Sequence, residues 1–543
     1  MTPNSLNRRF RRRRWLISSA LFIVCHSVCP AIVEPFETEL IQTPAKRIDE
    51  LIHKKLDDKG IQAANHCSDA VFLRRAFIDV TGTLPPAKAS IAFQRMKADN
   101  KRSRVINQLL ESDSYVDYWT LKWSDLLRIK AEFPINLWPN GVQAYHRWIK
   151  EAVSSDLPYD QFVRELLTSS GSNFRVPPVN FYRAIEGQKP ETIAAAVALT
   201  FMGTRFESMT KKQRADMAHI FSRVAYKSTD EWKEEIVYLD PTQYSPMEIT
   251  FPDGKSKKIA AGEDPRQAFA DWLVQPDNPW FTKSIVNRVW FWLMGRGLIH
   301  EPDDIRGDNP CVNPALMSYL QKQFVKSGYD IKGLFRLILN SRAYQQSAIP
   351  QSDHPEAEAL FAHYNVRRLD AEVLIDALGW FGGSGELYQS PVPEPFTFVP
   401  EYKRTITLSD GTITSQFLEK FGRPGRDSGT ELERNNEISV DQTMYLLNSS
   451  EVQKKIRNSP LMKAAIRDSK GNNRVLIRSL YLILLSRNPT PEEMKSSFNY
   501  YTKMLPKTAN NQRQKRNLWN KRQQASEDLA WSLINSKEFL HRH

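Results

Sequence analysis

Apolar residues recur at helical spacing along almost the whole chain, and the polar residues between them follow a repeated grammar of starts and stops. Asp264-Pro265-Arg-Gln267 reads as an N-cap, a proline at the first helical position and a glutamine closing a capping box. Pro279 opens the next helix, which runs through Trp290 and Trp292 and stops at Gly295. Asn313-Pro314 starts another, ended by Gly328, and Ser439 with Gln442 and Thr490-Pro491 with Glu493 repeat the signal. Alternating runs are few. The clearest lies between Met247 and Ile259, around Asp253-Gly254, and predicts a β-hairpin. The pattern predicts an all-α protein: two helical domains, 46–240 and 264–543, with a β-hairpin linker over 241–263.

A phrase recurs near both ends. Leu73 to Pro86 leads through a helix to Ile106-Asn-Gln-Leu-Leu-Glu-Ser112-Asp-Ser-Tyr115. Ile477 to Pro491 leads to Ala530-Trp-Ser-Leu-Ile-Asn-Ser536-Lys-Glu-Phe539, and Leu337-Ile-Leu-Asn-Ser341-Arg-Ala-Tyr344 repeats the closing words. Each predicts an amphipathic helix that ends at a serine, whose hydroxyl competes for backbone groups while an aromatic packs back beneath it. These related helical modules resemble the small module of phycobilisome linkers and of repeats in exported proteins, which implies scaffolding.

At 543 residues the chain is too long for one compact core, and its 41% hydrophobic and 25% charged content is that of a globular protein. The net charge of +13 is concentrated at the start, where Arg8, Arg9, Arg11, Arg12, Arg13 and Arg14 precede Trp15 and no acid occurs before Glu34. Without those six, 69 basic side chains face 62 acidic ones, +7, too weak a bias to indicate nucleic acid. The arginines run into the apolar stretch from Trp15 to Val24, which predicts a signal peptide over 1–31 cleaved after Ala31, the alternative being an uncleaved anchor. Export to the periplasm or cell surface follows, with no membrane span after cleavage. The mature chain would keep Cys67 and Cys311 alone, either bridged or as two separate thiols.

The landmarks match a known pair of families. Phe72-Leu-Arg-Arg-Ala-Phe-Ile-Asp-Val-Thr-Gly82, Trp119-Thr-Leu-Lys-Trp123-Ser-Asp125-Leu-Leu-Arg128 and Leu157-Pro-Tyr-Asp-Gln-Phe-Val163 resemble the first planctomycete-cytochrome-associated domain. Asn287-Arg288-Val-Trp290, Gly295-Arg-Gly297, Asp303-Asp304, Arg367-Arg-Leu-Asp370-Ala-Glu372, Phe421-Gly-Arg-Pro424 and Asn535-Ser-Lys-Glu-Phe539 resemble the second. Both are domains of unknown function, and the resemblance implies company with exported cytochromes and polymer use at the cell surface. Many relatives of the first domain carry a haem-type Cys-x-x-Cys-His segment after the Gly-x-Arg turn, here Gly203-Thr-Arg205. This chain reads Phe206 to His219 there without a cysteine, so haem c cannot attach covalently at that site. His219 with Met209 or Met217 is the remaining haem-like trace, and a lone histidine on a helix is expected to be structural. Relatives of the second domain alternate cysteines with acids after Phe-Gly-Arg-Pro. Here Asp427 to Arg434 keeps the carboxylates and lacks the thiols, which disfavours a soft metal.

Two charged clusters are candidates for chemistry. The loop His300 to Asn309 gathers Asp303, Asp304, Arg306, Asp308 and Asn309, oxygen ligands that suit a hard cation such as Ca²⁺ but lack EF-hand spacing. Its carboxylates also suit acid–base work on a glycosidic bond, or the capping of neighbouring helices with Arg288 or Arg306 as partners. Glu431, Glu433 and Arg434, with Arg423 and Arg426, form the second cluster, whose guanidinium forks suit the carboxylate or sulfate of an acidic polysaccharide. The segment 382–429 is rich in Pro and Gly and poorly periodic, the place to expect a lid or binding loop. Trp138, in a predicted loop, is the tryptophan placed to meet a sugar, and the basic run Lys507 to Arg522 is a solvated helix face. The leading expectation is an exported accessory protein that binds an envelope protein or extracellular polysaccharide. The alternative is a polysaccharide-active enzyme using Asp303, Asp304, Glu431 and Glu433. An enzyme requires two of these to converge in one concave pocket.

Overall fold

The computed structural model describes residues 32–543 except 40, 42, 394, 395, 398, 400–402 and 506–510, so the signal-peptide reading of 1–31 lies outside the described residues. The protein is predominantly helical, as the apolar spacing predicts. Capping chemistry sets the helix starts. Ser439 and Gln442 satisfy each other's backbone ahead of helix Val440–Asn448, and Thr490 and Glu493 do the same ahead of Pro491–Met504. Asp264 accepts from the Arg266 amide, and Asn313 from that of Leu316. The hairpin forms where the alternation predicts it, Met247–Thr250 pairing antiparallel with Ser256–Ile259. Among the described residues no helix is long and apolar enough to cross a membrane.

The recurring phrase folds the same way three times. Ser112, Ser341 and Ser536 each donate back to the carbonyl three residues before, at 2.7, 2.6 and 2.6 Å. Each also accepts the amide of the aromatic three residues on (Tyr115, Tyr344 and Phe539), at 3.2 Å in every case. The serine thus closes one helix and caps the next turn, and all three aromatic rings are buried. A small sheet escaped the sequence reading: Glu235–Leu239 pairs with Val224–Ser228 on one side and Gly171–Ser172 on the other. Its strands bury only Val237 fully, so no strong alternation marks them.

Residues 32–543 pack as one compact unit. The strand His541–Arg542 pairs with Arg367–Arg368, carrying that end of the chain into the interior beside helix Asp69–Thr81. Trp119 and Trp123 of helix Asp113–Leu126 meet Trp292 of helix Phe281–Met294 with ring centroids 5.0 and 6.0 Å apart. The tryptophans of the two motif-bearing regions therefore share one core.

Candidate functional site

The predicted charged residues divide into an inner and an outer group. Arg288 and Asp303 are 0% and 1% exposed and meet at 2.5 Å, and Arg288 also donates to the carbonyl of Thr200 at 2.9 Å. Asp303 accepts the Glu431 amide at 2.8 Å, and the Glu431 carboxylate accepts the Trp292 indole N–H at 2.7 Å. Burial and the nearby Asp303 charge push the Glu431 carboxyl up to about 7. Arg434 grips Glu372 with two bonds of 2.7 and 3.1 Å and reaches Asp125 at 2.6 Å. Arg426 binds Asp125 at 2.9 Å, and Arg423 lies 3.8 Å from Glu372.

The network continues through motif residues. Asp370 receives Lys122, Tyr118, Asn436 and Arg542 at 2.8 to 2.9 Å. Arg542 also reaches Asp79, which Tyr344 and Tyr364 contact at 2.9 and 3.0 Å. Burial opposes ionisation of Asp370, but Arg542, Lys122 and Arg434 together hold its pKa well below the usual carboxylate value. Burial likewise opposes ionisation of Glu372, and Arg434 holds it at about 2. The residues that make the chain recognisable thus neutralise one another inside the core. Asp303 and Glu431 converge, as an acid–base pair must, but onto Arg288 and Trp292.

The outer group stays apart. Asp304 pairs with Arg306 at 3.1 Å, Arg306 lies 3.5 Å from Asp308, and Asn309 donates to the Asp304 carbonyl at 2.8 Å. Glu433 accepts the amides of Asp427 and Ser428 and the Ser428 hydroxyl, which makes it the cap of its own turn. Among the described residues no group of three or more His, Cys, Asp or Glu is arranged to hold a metal ion. His219 stands exposed on helix Lys211–Ile220 with Met217 buried on another face, and Cys67 and Cys311 are both free thiols.

A concave site lies elsewhere, at the 382–429 segment. Helix Ala371–Gly382 turns its apolar residues inward and ends at Gly383 (φ +66°), where a Cβ would come within 2.5 Å of Pro460. That turn brings Ser384 and Glu386 beside Asp376 and Trp380. The motif turn Gly82–Pro86 supplies the facing wall, and Gly82 (φ +61°) lets it approach the Tyr118 ring. Lys403 and Arg404 complete the lining of a cleft of about 590 Å³.

Its chemistry is unlike that of the core. Trp380 is 39% exposed, while the core tryptophans are buried. Asp376 accepts the amides of Thr405 and Ile406 at 2.7 and 3.1 Å, yet burial raises its carboxyl to about 6. Burial and the neighbouring Glu451 push the Glu386 carboxyl up to about 7, against Lys455 at 3.8 Å. Glu386 Oε2 and Arg404 Nη2 are buried and have no hydrogen-bond partner among the described residues. Arg404 Nε stands 4.0 Å from Asp376, and Lys403 has no ion-pair partner among the described residues. The cleft therefore combines a half-exposed indole with two largely buried carboxyl groups of raised pKa and the cations Lys403 and Arg404. Sequence reasoning flagged the loop but missed Asp376, Trp380, Glu386, Lys403 and Arg404. The available signal was Asp376, a lone acid in the apolar run Val373-Leu-Ile-Asp-Ala-Leu378.

Two families of unknown function match the chain in succession. PSCyt2 (DUF1549) matches residues 47–228 and PSD1 (DUF1553) matches residues 265–501. No curated protein and no solved structure matches it.

Proposed function

The chain carries both domains of the planctomycete-cytochrome-associated pair, one after the other, and we propose that it serves as an exported accessory protein that binds polysaccharide at the cell envelope. Binding takes place in the Trp380 cleft. The observation that carries this reading is the half-exposed indole of Trp380 in a mainly apolar cleft, near a carboxyl oxygen and a guanidinium nitrogen that have no hydrogen-bond partner among the described residues. An aromatic face flanked by unspent hydrogen-bonding groups suits a sugar ring, which offers an apolar C–H face and a rim of hydroxyls. Export rests on the arginine-rich head and apolar run ahead of Ala31.

Melting the purified protein with neutral and sulfated polysaccharides tests the reading, because a ligand that binds the folded state alone raises the melting temperature. At least one polymer gives a rise that Trp380→Ala abolishes. A panel that moves neither protein removes the reading.

A second reading, a polysaccharide-active enzyme, is favoured by one specific feature: Asp376 and Glu386 line the same cleft, both with raised pKa. Near neutral pH Glu386 is partly protonated, the state a general acid needs. Release of reducing ends from a bound polymer, lost in Glu386→Gln with binding retained, would establish this reading over the first.

A further inference from the structure

A separate part of the surface gathers aromatic rings beside a second concavity. The rings of Trp138 and Trp232 have centroids 5.1 Å apart, and those of Trp232 and Phe396 are 5.2 Å apart. Trp232 is 51% exposed and Phe396 48%, an unusual amount of bare aromatic surface in one row. The Lys233 ammonium lies 4.3 Å from the Trp138 ring centroid, a cation–π contact that fixes the indole in place. Alongside opens a cleft of about 430 Å³.

The backbone around this cleft is held in an uncommon way. Asn136, Trp138, Gln188 and Lys233 all line it, and all have left-handed backbone angles, with φ of 58°, 61°, 49° and 62°. Residues other than glycine seldom adopt that conformation, and it gathers where a fold must aim side chains at a ligand. The support beneath is firm. Trp232 and Lys233 sit in the turn between strands Val224–Ser228 and Glu235–Leu239, and Trp138 begins helix Trp138–Ser154.

Several charged groups of the lining are engaged within the protein, while Glu186 stands exposed. Arg183 pairs with Glu235 at 2.8 Å, and Glu234 accepts the hydroxyls of Ser172 and Thr229 at 2.5 and 2.7 Å. What the cleft offers a ligand is indole face together with the amides of Asn136 and Gln188, which both donate and accept, and the exposed Glu186 carboxylate, which accepts from hydroxyls. That combination fits an uncharged sugar ring, whose hydroxyls pair with amides while its C–H face lies on an aromatic. Phe396 also belongs to the loop that supplies Glu386 and Lys403 to the Trp380 cleft. Lys403 follows it seven positions on, a span of at most about 25 Å.

We propose that the Trp138–Trp232–Phe396 surface is a second carbohydrate subsite, taking an uncharged pyranose unit of the same polysaccharide chain that enters the Trp380 cleft. The proposal rests on the polysaccharide-binding reading above. Two linked subsites on one polymer raise its affinity far beyond that of a short fragment, which occupies one of them.

The test uses the purified protein with soluble xylan, mixed-linkage β-glucan and dextran, and with the trisaccharide of whichever polymer binds. Trp232→Ala keeps the wild-type melting temperature, lowers affinity for the polymer about a hundredfold and leaves affinity for the trisaccharide unchanged. Trp232→Phe, which keeps a ring there, restores most of the loss. Polymer affinity unchanged in Trp232→Ala overturns the second subsite, and if Trp380→Ala still abolishes binding, the cleft reading stands without it. A wild-type protein that binds none of the polymers at either length overturns the subsite together with the reading it rests on.

Discussion

At the scale of single residues, the chain separates buried charges that neutralise one another from carboxyl groups whose burial raises their pKa. Arg434 is the clearest of the first kind, a largely buried fork that neutralises Glu372 and Asp125. Arg434→Ala leaves both carboxylates buried without that partner, and chemical denaturation should record a loss of about 3–5 kcal/mol. Glu386 is of the second kind. Its carboxyl is raised from 4.5 to about 7, so the folded state holds its proton more tightly than the unfolded state does. The stability this contributes is complete below about pH 4.5 and is lost as pH rises through about 7. Glu386→Gln should flatten the stability profile between those values and leave the protein more stable than wild type at pH 8, by about 2–3 kcal/mol. A profile that keeps the wild-type slope would show that Glu386 titrates normally. Glu372 works in the opposite direction: held at about 2 against a usual 4.5, it contributes stability that fades as pH falls below about 4.5. The sequence named Arg288 and Arg306 as partners for the acids of the 300–309 loop without assigning them, and the fold gives Asp303 to Arg288 and Asp304 to Arg306. The sequence could not show that Arg434 grips Glu372 and Asp125, 62 and 309 residues away, since only the folded core brings them together.

Among elements, helix starts were the most legible feature, because capping is local chemistry. Thr490→Ala removes one half of the box ahead of Pro491–Met504 and should cost about 1 kcal/mol, read from the shift in denaturation midpoint. The cleft turn is equally specific. Gly383→Ala adds a Cβ at φ +66° against Pro460, so both backbone and packing oppose it, and a destabilisation of about 2 kcal/mol or more is expected. The hairpin at Met247–Ile259 announced itself through an Asp-Gly turn between alternating runs. Strands Val224–Ser228 and Glu235–Leu239 did not, because their turn from Thr229 to Glu234 has no glycine and their faces are only half covered. That turn is the one that presents Trp232 and Lys233.

Across the whole molecule, the buried ionic network runs from Asp79 through Asp370 and Glu372 to Asp125, and so draws on both family regions and on the last residues of the chain. Scanning calorimetry should therefore find one cooperative unfolding transition for residues 32–543, and two well-separated transitions would contradict the single shared core. The motifs that place the chain in its families mark this core, which is why they disclose architecture so readily and activity so little. The cleft proposed for the ligand is the one lined by Trp380, Glu386 and Arg404. Amide hydrogen exchange with and without the polysaccharide that raises the melting temperature tests that assignment most directly. Slowed exchange is expected in residues 376–386 and 403–406, together with the facing turn at 82–86. Protection confined to the loop 300–309, with the cleft unchanged, would contradict it.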